Sequence, residues 1–298
     1  MNYSKRPMDT VFESGAVAST QVAMPAETQP MENGLEERVS VRSTEETILA
    51  MRHWTPTLLS FRTSRAVGFR FTLGHYARLG LGDTEKNAVW RPLSIASAAH
   101  EEHLELFVVL GPGGSFSERL AKVQVGDVVR VEKASYGFLT IDHFAPGKDL
   151  WLLASGTGLG PFLSILRDPT TWRAFETVVV VHSVRYNAEL AYRDEIAAVS
   201  LDKRLAASQR RLRYLPVVTR ERGSDALSAR IPQLIEEGRL EHGAGLELDP
   251  HHARIMVCGN PEMARELRHQ LTARGFRTNR RGAPGHLAFE NYWPPSPS

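Results

Sequence analysis

A single cysteine among 298 residues, Cys258, leaves no partner for an intrachain disulfide and excludes a cysteine-ligated zinc or an iron–sulfur cluster held by this chain alone. Apolar runs such as Leu150–Ala154 and Val178–Val181 stop far short of the roughly 20 residues that cross a bilayer, so no membrane span is expected. After Lys5 and Arg6 the N-terminus offers Asp9, Glu13, prolines and glutamines rather than an apolar core with a small-residue cleavage site, and a cytoplasmic protein is expected. Neither charge sign dominates the whole chain, whose formal net charge is +2. The imbalance is local: two basic and five acidic side chains in the first 36 residues leave an excess of +5 for the remainder. Such an excess can steer an acidic partner or form an ordinary solvated surface. There is no internal repeat.

What the chain does contain suits two globular domains, with 42% hydrophobic and 23% charged residues. Residues 1–37, rich in Ser, Thr, Pro, Glu, Gln and Met and without periodicity, are expected to be a disordered extension. From residue 38 to 143, short β-branched and aromatic runs alternate with turn residues: 39–42, 47–51, 58–62, 69–73, 75–79, 93–96, 104–110 and 128–133. This even spacing predicts an antiparallel barrel. Pro146 and Gly147 mark a linker over 142–149. From 149 to 293 strands alternate with helices, the rhythm of a doubly wound parallel sheet, with helices beginning at Gly160, Glu189, Ser228 and Asn260. The last has Asn260 to cap it, Pro261 at its first position, and Met263, Leu267 and Leu271 on one face.

Three constellations carry chemistry. Ser155, Gly156, Thr157, Gly158, Leu159 and Gly160 follow an apolar strand and precede a helix, so backbone amides and the helix terminus can receive a pyrophosphate, although the spacing is not G-x-G-x-x-G and a purely structural turn would look similar. Arg91, Pro92, Leu93 and Ser94 stand at the start of a strand, where a cation can meet a phosphate and a hydroxyl a ring heteroatom. Gly113, Gly114, Ser115, Phe116 and Ser117 open a short helix and make a second anion site. Taken singly, the last two could be an edge strand with an exposed arginine and a capped turn.

In this order, together with VHSVRYNAELAY (181–192), TRE (219–221), ARIP (229–232), CGNP (258–261) and PGHLAFENYW (284–293), these segments resemble the ferredoxin NADP+ reductase superfamily, most closely the bacterial ferredoxin or flavodoxin reductases that end in Tyr-Trp. The resemblance runs from about residue 38 to Trp293 and implies a Greek-key flavin barrel followed by an NADP-binding α/β domain. It implies that Arg91 and the 113–117 turn hold the pyrophosphate of FAD, that Pro92 and Leu93 border the flavin, and that Ser94 bonds near flavin N5. Tyr292 would cover the opposite flavin face and Trp293 the adenine. For NADP it implies Ser155, Gly156, Thr157, Gly158, Cys258 and Gly259 near the phosphates and nicotinamide, with Arg185, Arg220 and Arg230 reading the 2′-phosphate. Guanidinium groups suit a phosphate dianion, and the second strand of this domain ends in His182-Ser183-Val184-Arg185 rather than in the acidic residue of an NAD site.

Ser94, Cys258, Glu290 and Tyr292 are thus the implied catalytic set. Leu93 departs from the family's usual aromatic, and residues 294–298 extend past the usual terminal Trp. The implied activity is electron exchange between NADPH and a separate ferredoxin or flavodoxin by a monomer. Two alternatives stand beside it: the reductase component of an oxygenase system or a free-flavin reductase, and a flavin-bearing regulatory subunit without turnover. His251 and His252 have no partner cluster and read as loop residues.

Overall fold

The computed structural model describes residues 42–200, 211–221, 226–280 and 282–290. The expected N-terminal extension, the C-terminal tail, and Tyr292 and Trp293 lie outside them.

Six antiparallel strands come first: β1 (Ser43–His53), β2 (Leu58–Ser64), β3 (Tyr76–Leu81), β4 (Val89–Ser94), β5 (His103–Val109) and β6 (Val128–Tyr136), in the order β4-β3-β6-β1-β2-β5. The return of β6 to lie between β1 and β3 is the Greek-key step. The two edges of this sheet meet where Ile95 bridges Leu106 and Ala96 N–H donates to Glu105 O at 2.7 Å, so the sheet curls into the expected barrel. Alternate side chains point inward, and Ile48, Leu59, Phe61, Leu79, Leu104, Leu106, Val129 and Val131 form its core. Helix α1 (Ser115–Leu120) lies against β3 and β4 and buries Phe116 and Leu120.

Two expectations in this half need correction. Residues 69–73 form no strand, because the Phe69 carbonyl is taken by the Arg65 guanidinium at 2.9 Å and the chain turns through Gly74, at φ +85°. Arg91–Ser94 occupy the end of β4 rather than the start of a strand. Past Ser94 the chain changes partners, Ile95 N–H bonding to His75 O at 3.0 Å and Ala96 to β5.

The second half is a parallel sheet of β7 (Asp149–Ser155), β8 (Thr177–Val184), β9 (Arg211–Val218), β10 (Ala253–Cys258) and β11 (Leu287–Glu290), in the order β11-β10-β7-β8-β9. Both faces are covered, which is why β8 is buried at every position. Helices α2 (Gly160–Leu166), α3 (Pro169–Ala174), α4 (Arg193–Ser200), α5 (Ile231–Glu236), α6 (Arg239–Ala244) and α7 (Pro261–Ala273) complete it. In α7 the Asn260 side chain accepts from Glu262 and Met263 N–H, and Met263, Leu267 and Leu271 are buried, as their spacing predicted. The helix expected from Glu189 begins only at Arg193, because Tyr192 takes φ +60° and interrupts it. The short strand β11 and helix α6 had no distinct signal in the sequence, whereas α3 carries the one seen in α7, a capping Asp168 that accepts from Thr170 N–H followed by Pro169, which the sequence reading passed over. Between the sheets the linker is tied down: Arg254 donates to the carbonyls of Ala145 and Pro146, and Ala145 N–H to Gly285 O at 2.9 Å.

Candidate functional site at the sheet switch point

In the parallel sheet, connections from β7 run toward β8 and β9, whereas β10 and β11 lie on its other side, so a crevice opens between the C-terminal ends of β7 and β10. Register places Ala154 beside Cys258, and Cys258 beside Glu290. The loops that leave the strands here are closely fitted. A Cβ on Gly158 would stand 2.3 Å from the Cys258 carbonyl oxygen, and Asn260 N–H donates to Ser155 Oγ at 2.8 Å. Gly156, at φ +55°, turns the chain into α2 with open space around it. The turn can therefore approach a phosphate closely, and no larger residue fits at Gly158 without moving backbone.

His182, which sequence reading treated only as part of a strand end, supports this turn from behind. It is wholly buried on β8, and its Nε2 lies 3.2 Å from the Gly156 carbonyl. Burial lowers its pKa to about 4, so near neutrality the ring is uncharged and Nε2–H donates. Its Nδ1 has no hydrogen-bond partner among the described residues.

Cys258 is also wholly buried, and burial first, then the Glu290 charge, pushes its thiol well above the ordinary value. It is a neutral thiol against the crevice, an apolar wall rather than a thiolate. Glu290 is itself 7% exposed at the end of β11. Its charge reaches Tyr76 in the barrel, whose hydroxyl pKa is raised by burial and next by Glu290. Tyr76 pairs across β3 and β4 with Ser94. The barrel thus meets the switch point: a Cβ on Gly160, at the start of α2, would lie 3.2 Å from Ser94 Cβ. No local pattern singled out Tyr76, because its place follows from barrel register.

Arg91 and the 113–117 turn are brought to one side of the barrel by the packing of α1 on β4. The Arg91 guanidinium is exposed and donates to the Trp90 carbonyl at 2.9 Å, with no carboxylate in ion-pair range among the described residues. Gly113 takes φ +69°, Gly114 precedes α1, and Ser117 Oγ accepts from Gly111 N–H at 3.1 Å, which tightens the turn. Free positive charge beside a glycine turn fits a pyrophosphate. Leu93, paired with the buried Ala77, packs against the barrel core beside the intermediate-exposure Pro92.

Arg185 and Arg220 leave the adjacent strands β8 and β9 and are joined by Arg220 N–H to Arg185 O at 2.9 Å. Glu189 organises the loop, accepting from Arg185 N–H and Tyr186 N–H and from the Arg185 guanidinium at 2.9 Å. Burial would raise the Glu189 pKa, but these bonds outweigh it and hold the carboxylate below its usual range. Arg230, at the start of α5, pairs instead with Glu266 on α7 at 2.9 Å. A backbone bond joins Arg185 to Arg220, while the guanidinium groups of Arg185 and Arg230 are each paired with a carboxylate, Glu189 and Glu266.

This arrangement has close relatives. The oxidoreductase FAD-binding domain model matches residues 54–139, and the oxidoreductase NAD-binding domain model matches residues 152–269. A ferredoxin–NADP reductase A from Sorangium cellulosum is 43% identical over 255 residues, covering 83% of this chain and 89% of that protein. The chain belongs to the ferredoxin/flavodoxin–NADP reductases. A flavodoxin/ferredoxin–NADP reductase from Escherichia coli is 36% identical over 247 residues, covering 83% and 97% respectively. The crystal structure of a ferredoxin NADP+ reductase from Neisseria gonorrhoeae with bound FAD and NADP superimposes with a TM-score of 0.79 at 38% identity, covering 85% of this chain and 99% of that one.

Proposed function

We propose that this chain is an FAD-dependent reductase that exchanges electrons between NADPH and a separate ferredoxin or flavodoxin. The observation that carries this reading is the apposition of Ser94, on the barrel, with the Gly158–Gly160 turn at the switch point of the parallel sheet. There a Cβ on Gly160 would stand only 3.2 Å from Ser94 Cβ, so two domains of different folds are held in one register, which supports transfer between a ring bound on each.

FAD held by the barrel would supply the chemistry that links a two-electron donor, NADPH, to a one-electron carrier. Arg91 and the amides of 113–117 would hold the pyrophosphate, and Ser94 would bond at N5. Ser155, Gly156, Thr157, Gly158 and Gly259 would receive the nucleotide, with Arg185 and Arg220 forked on its 2′-phosphate. Arg230 would join them by exchanging Glu266 for phosphate. Cys258 would keep water from the nicotinamide, and Glu290, its neighbour on β11, would help place that ring or balance protons on the flavin. Family resemblance extends the site to Tyr292 and Trp293 over the flavin and adenine.

The flavin domain is taken as 38–143 and the nucleotide domain as 149–293, in a monomeric cytoplasmic enzyme. Among the described residues no helix is long and apolar enough to cross a membrane. Steady-state reduction of ferredoxin, flavodoxin and free flavin, with NADPH and NADH in parallel, tests the reading. Preference for NADH or for free flavin would overturn it.

A further inference from the structure

Away from the reacting atoms, a buried ionic cluster joins the two halves of the molecule. Glu105 on β5 has a side chain only 4% exposed. Its Oε1 accepts the Tyr192 hydroxyl at 2.7 Å, and its Oε2 accepts Arg62 at 3.1 Å and Arg167 at 3.3 Å. Burial alone would raise its pKa, but Arg167, Tyr192 and Arg62 together hold the carboxylate below its usual range. Arg62 and Glu105 come from the barrel, whereas Arg167 ends α2 and Tyr192 precedes α4.

Three of the four members, Arg167, Glu105 and Tyr192, are also fastened to segments of the proposed site. Arg167 donates to the Ala96 carbonyl at 2.8 Å, two residues from Ser94, while its own helix starts at the Gly160 that faces Ser94. The Glu105 backbone holds the same segment, accepting from Ala96 N–H at 2.7 Å and donating to Ser97 Oγ at 3.1 Å. Tyr192 closes the loop that begins at Arg185. Among the described residues it is the one non-glycine at positive φ, +60°, a conformation that is costly for a bulky side chain. That conformation sends the ring into a slot between Trp54, centroids 4.6 Å apart, and Phe107, 5.2 Å away edge-on, with the hydroxyl on Glu105.

We propose that Glu105, Arg167 and Tyr192 are positioning residues that register the nucleotide-reading loop and α2 against the Ser94–Ser97 strand, so that hydride transfer depends on them although none touches either ring. The inference rests on the function proposed above. Hydrogen bonds from charged partners fix direction as well as distance, and a misplacement of about 1 Å between reacting groups can cost roughly a hundredfold in rate.

The test uses the full chain loaded with FAD, as wild type, Tyr192→Phe and Arg167→Lys. Tyr192→Phe keeps the ring in its slot and removes the bond to Glu105. Arg167→Lys keeps the charge and loses the planar guanidinium, whose Nη1 donates to both Ala96 O and Glu105 and whose Nη2 donates to Glu195. Reduction of the flavin by saturating NADPH, followed by rapid mixing, should slow about tenfold or more in both variants. FAD retention and NADP+ affinity should stay at wild-type values, and amide hydrogen exchange over residues 94–97 should accelerate. Unchanged reduction and unchanged exchange in both variants would overturn the proposal, as would a rate that falls only in step with lost FAD. Should Tyr192→Phe fail to fold, Arg167→Lys decides between the same outcomes. A wild-type flavin that NADPH does not reduce would instead defeat the function proposed above, and the exchange measurement would still decide the positioning role.

Discussion

Alanine in place of Gly158 should be far more damaging than alanine in place of Gly156, although the two glycines stand two residues apart in one turn. At Gly156 the added Cβ meets nothing within 4 Å, and the cost is conformational, because φ is +55°. For an ordinary residue that conformation costs about 1–2 kcal/mol. At Gly158 the Cβ would stand 2.3 Å from the Cys258 oxygen, 2.5 Å from its carbon and 2.8 Å from Gly259 N, all backbone atoms. Relief requires the β7–α2 turn and the end of β10 to separate by about 1 Å, and overpacking against backbone should reach about 3 kcal/mol or more.

The assay is urea unfolding of both variants beside wild type, with NADP+ titrations on the folded proteins. Gly156→Asn, which tolerates the left-handed conformation, should recover part of the Gly156→Ala loss. Nothing of the kind should rescue Gly158. Equal losses at the two positions, or a harmless Gly158→Ala, would refute the close approach of the two loops.

His182, with a folded pKa of about 4 against an ordinary 6.5, binds its proton more readily in the unfolded chain. Its contribution is therefore complete above pH 6.5 and declines as pH falls toward 4, by about 3 kcal/mol in all; wild-type stability minus that of His182→Gln, measured by denaturant unfolding from pH 4 to 7, should show this slope, and a flat difference would contradict it. Arg185→Ala and Arg220→Ala should each weaken NADPH binding about 10- to 100-fold while sparing NADH, as loss of a bond to a charged group implies, and calorimetric titrations showing equal losses would contradict the 2′-phosphate assignment. Cys258, buried and with its thiol pKa raised by burial and by Glu290, should resist iodoacetamide at pH 8 in the native protein and react on unfolding. Stoichiometric labelling of folded enzyme would sink that view.

Much of this was legible in the chain. The glycine turn, the cap and apolar face of α7, and the uninterrupted valines of β8 each depend on neighbours within a few residues, where backbone conformation and side-chain periodicity are set locally. The two halves and their order followed from strand spacing. Where sequence reading went astray, a side-chain contact had overridden the pattern: a local one at 69–73, where Arg65 captures the carbonyl of Phe69 and no strand forms, and a long-range one, where Glu105 holds Tyr192 out of the helix expected from Glu189.

By itself, then, the sequence determined where glycine turns leave strands for helices and which segments must be buried. Only the tertiary structure decided that Tyr76 stands beside Ser94 and within reach of Glu290, that His182 lies under Gly156, and that Glu105, Arg167 and Tyr192 join the two halves. Those partners lie from 18 to more than 200 positions apart, and the order of strands in two sheets, together with barrel closure at Ile95 and Leu106, is what brings them into contact.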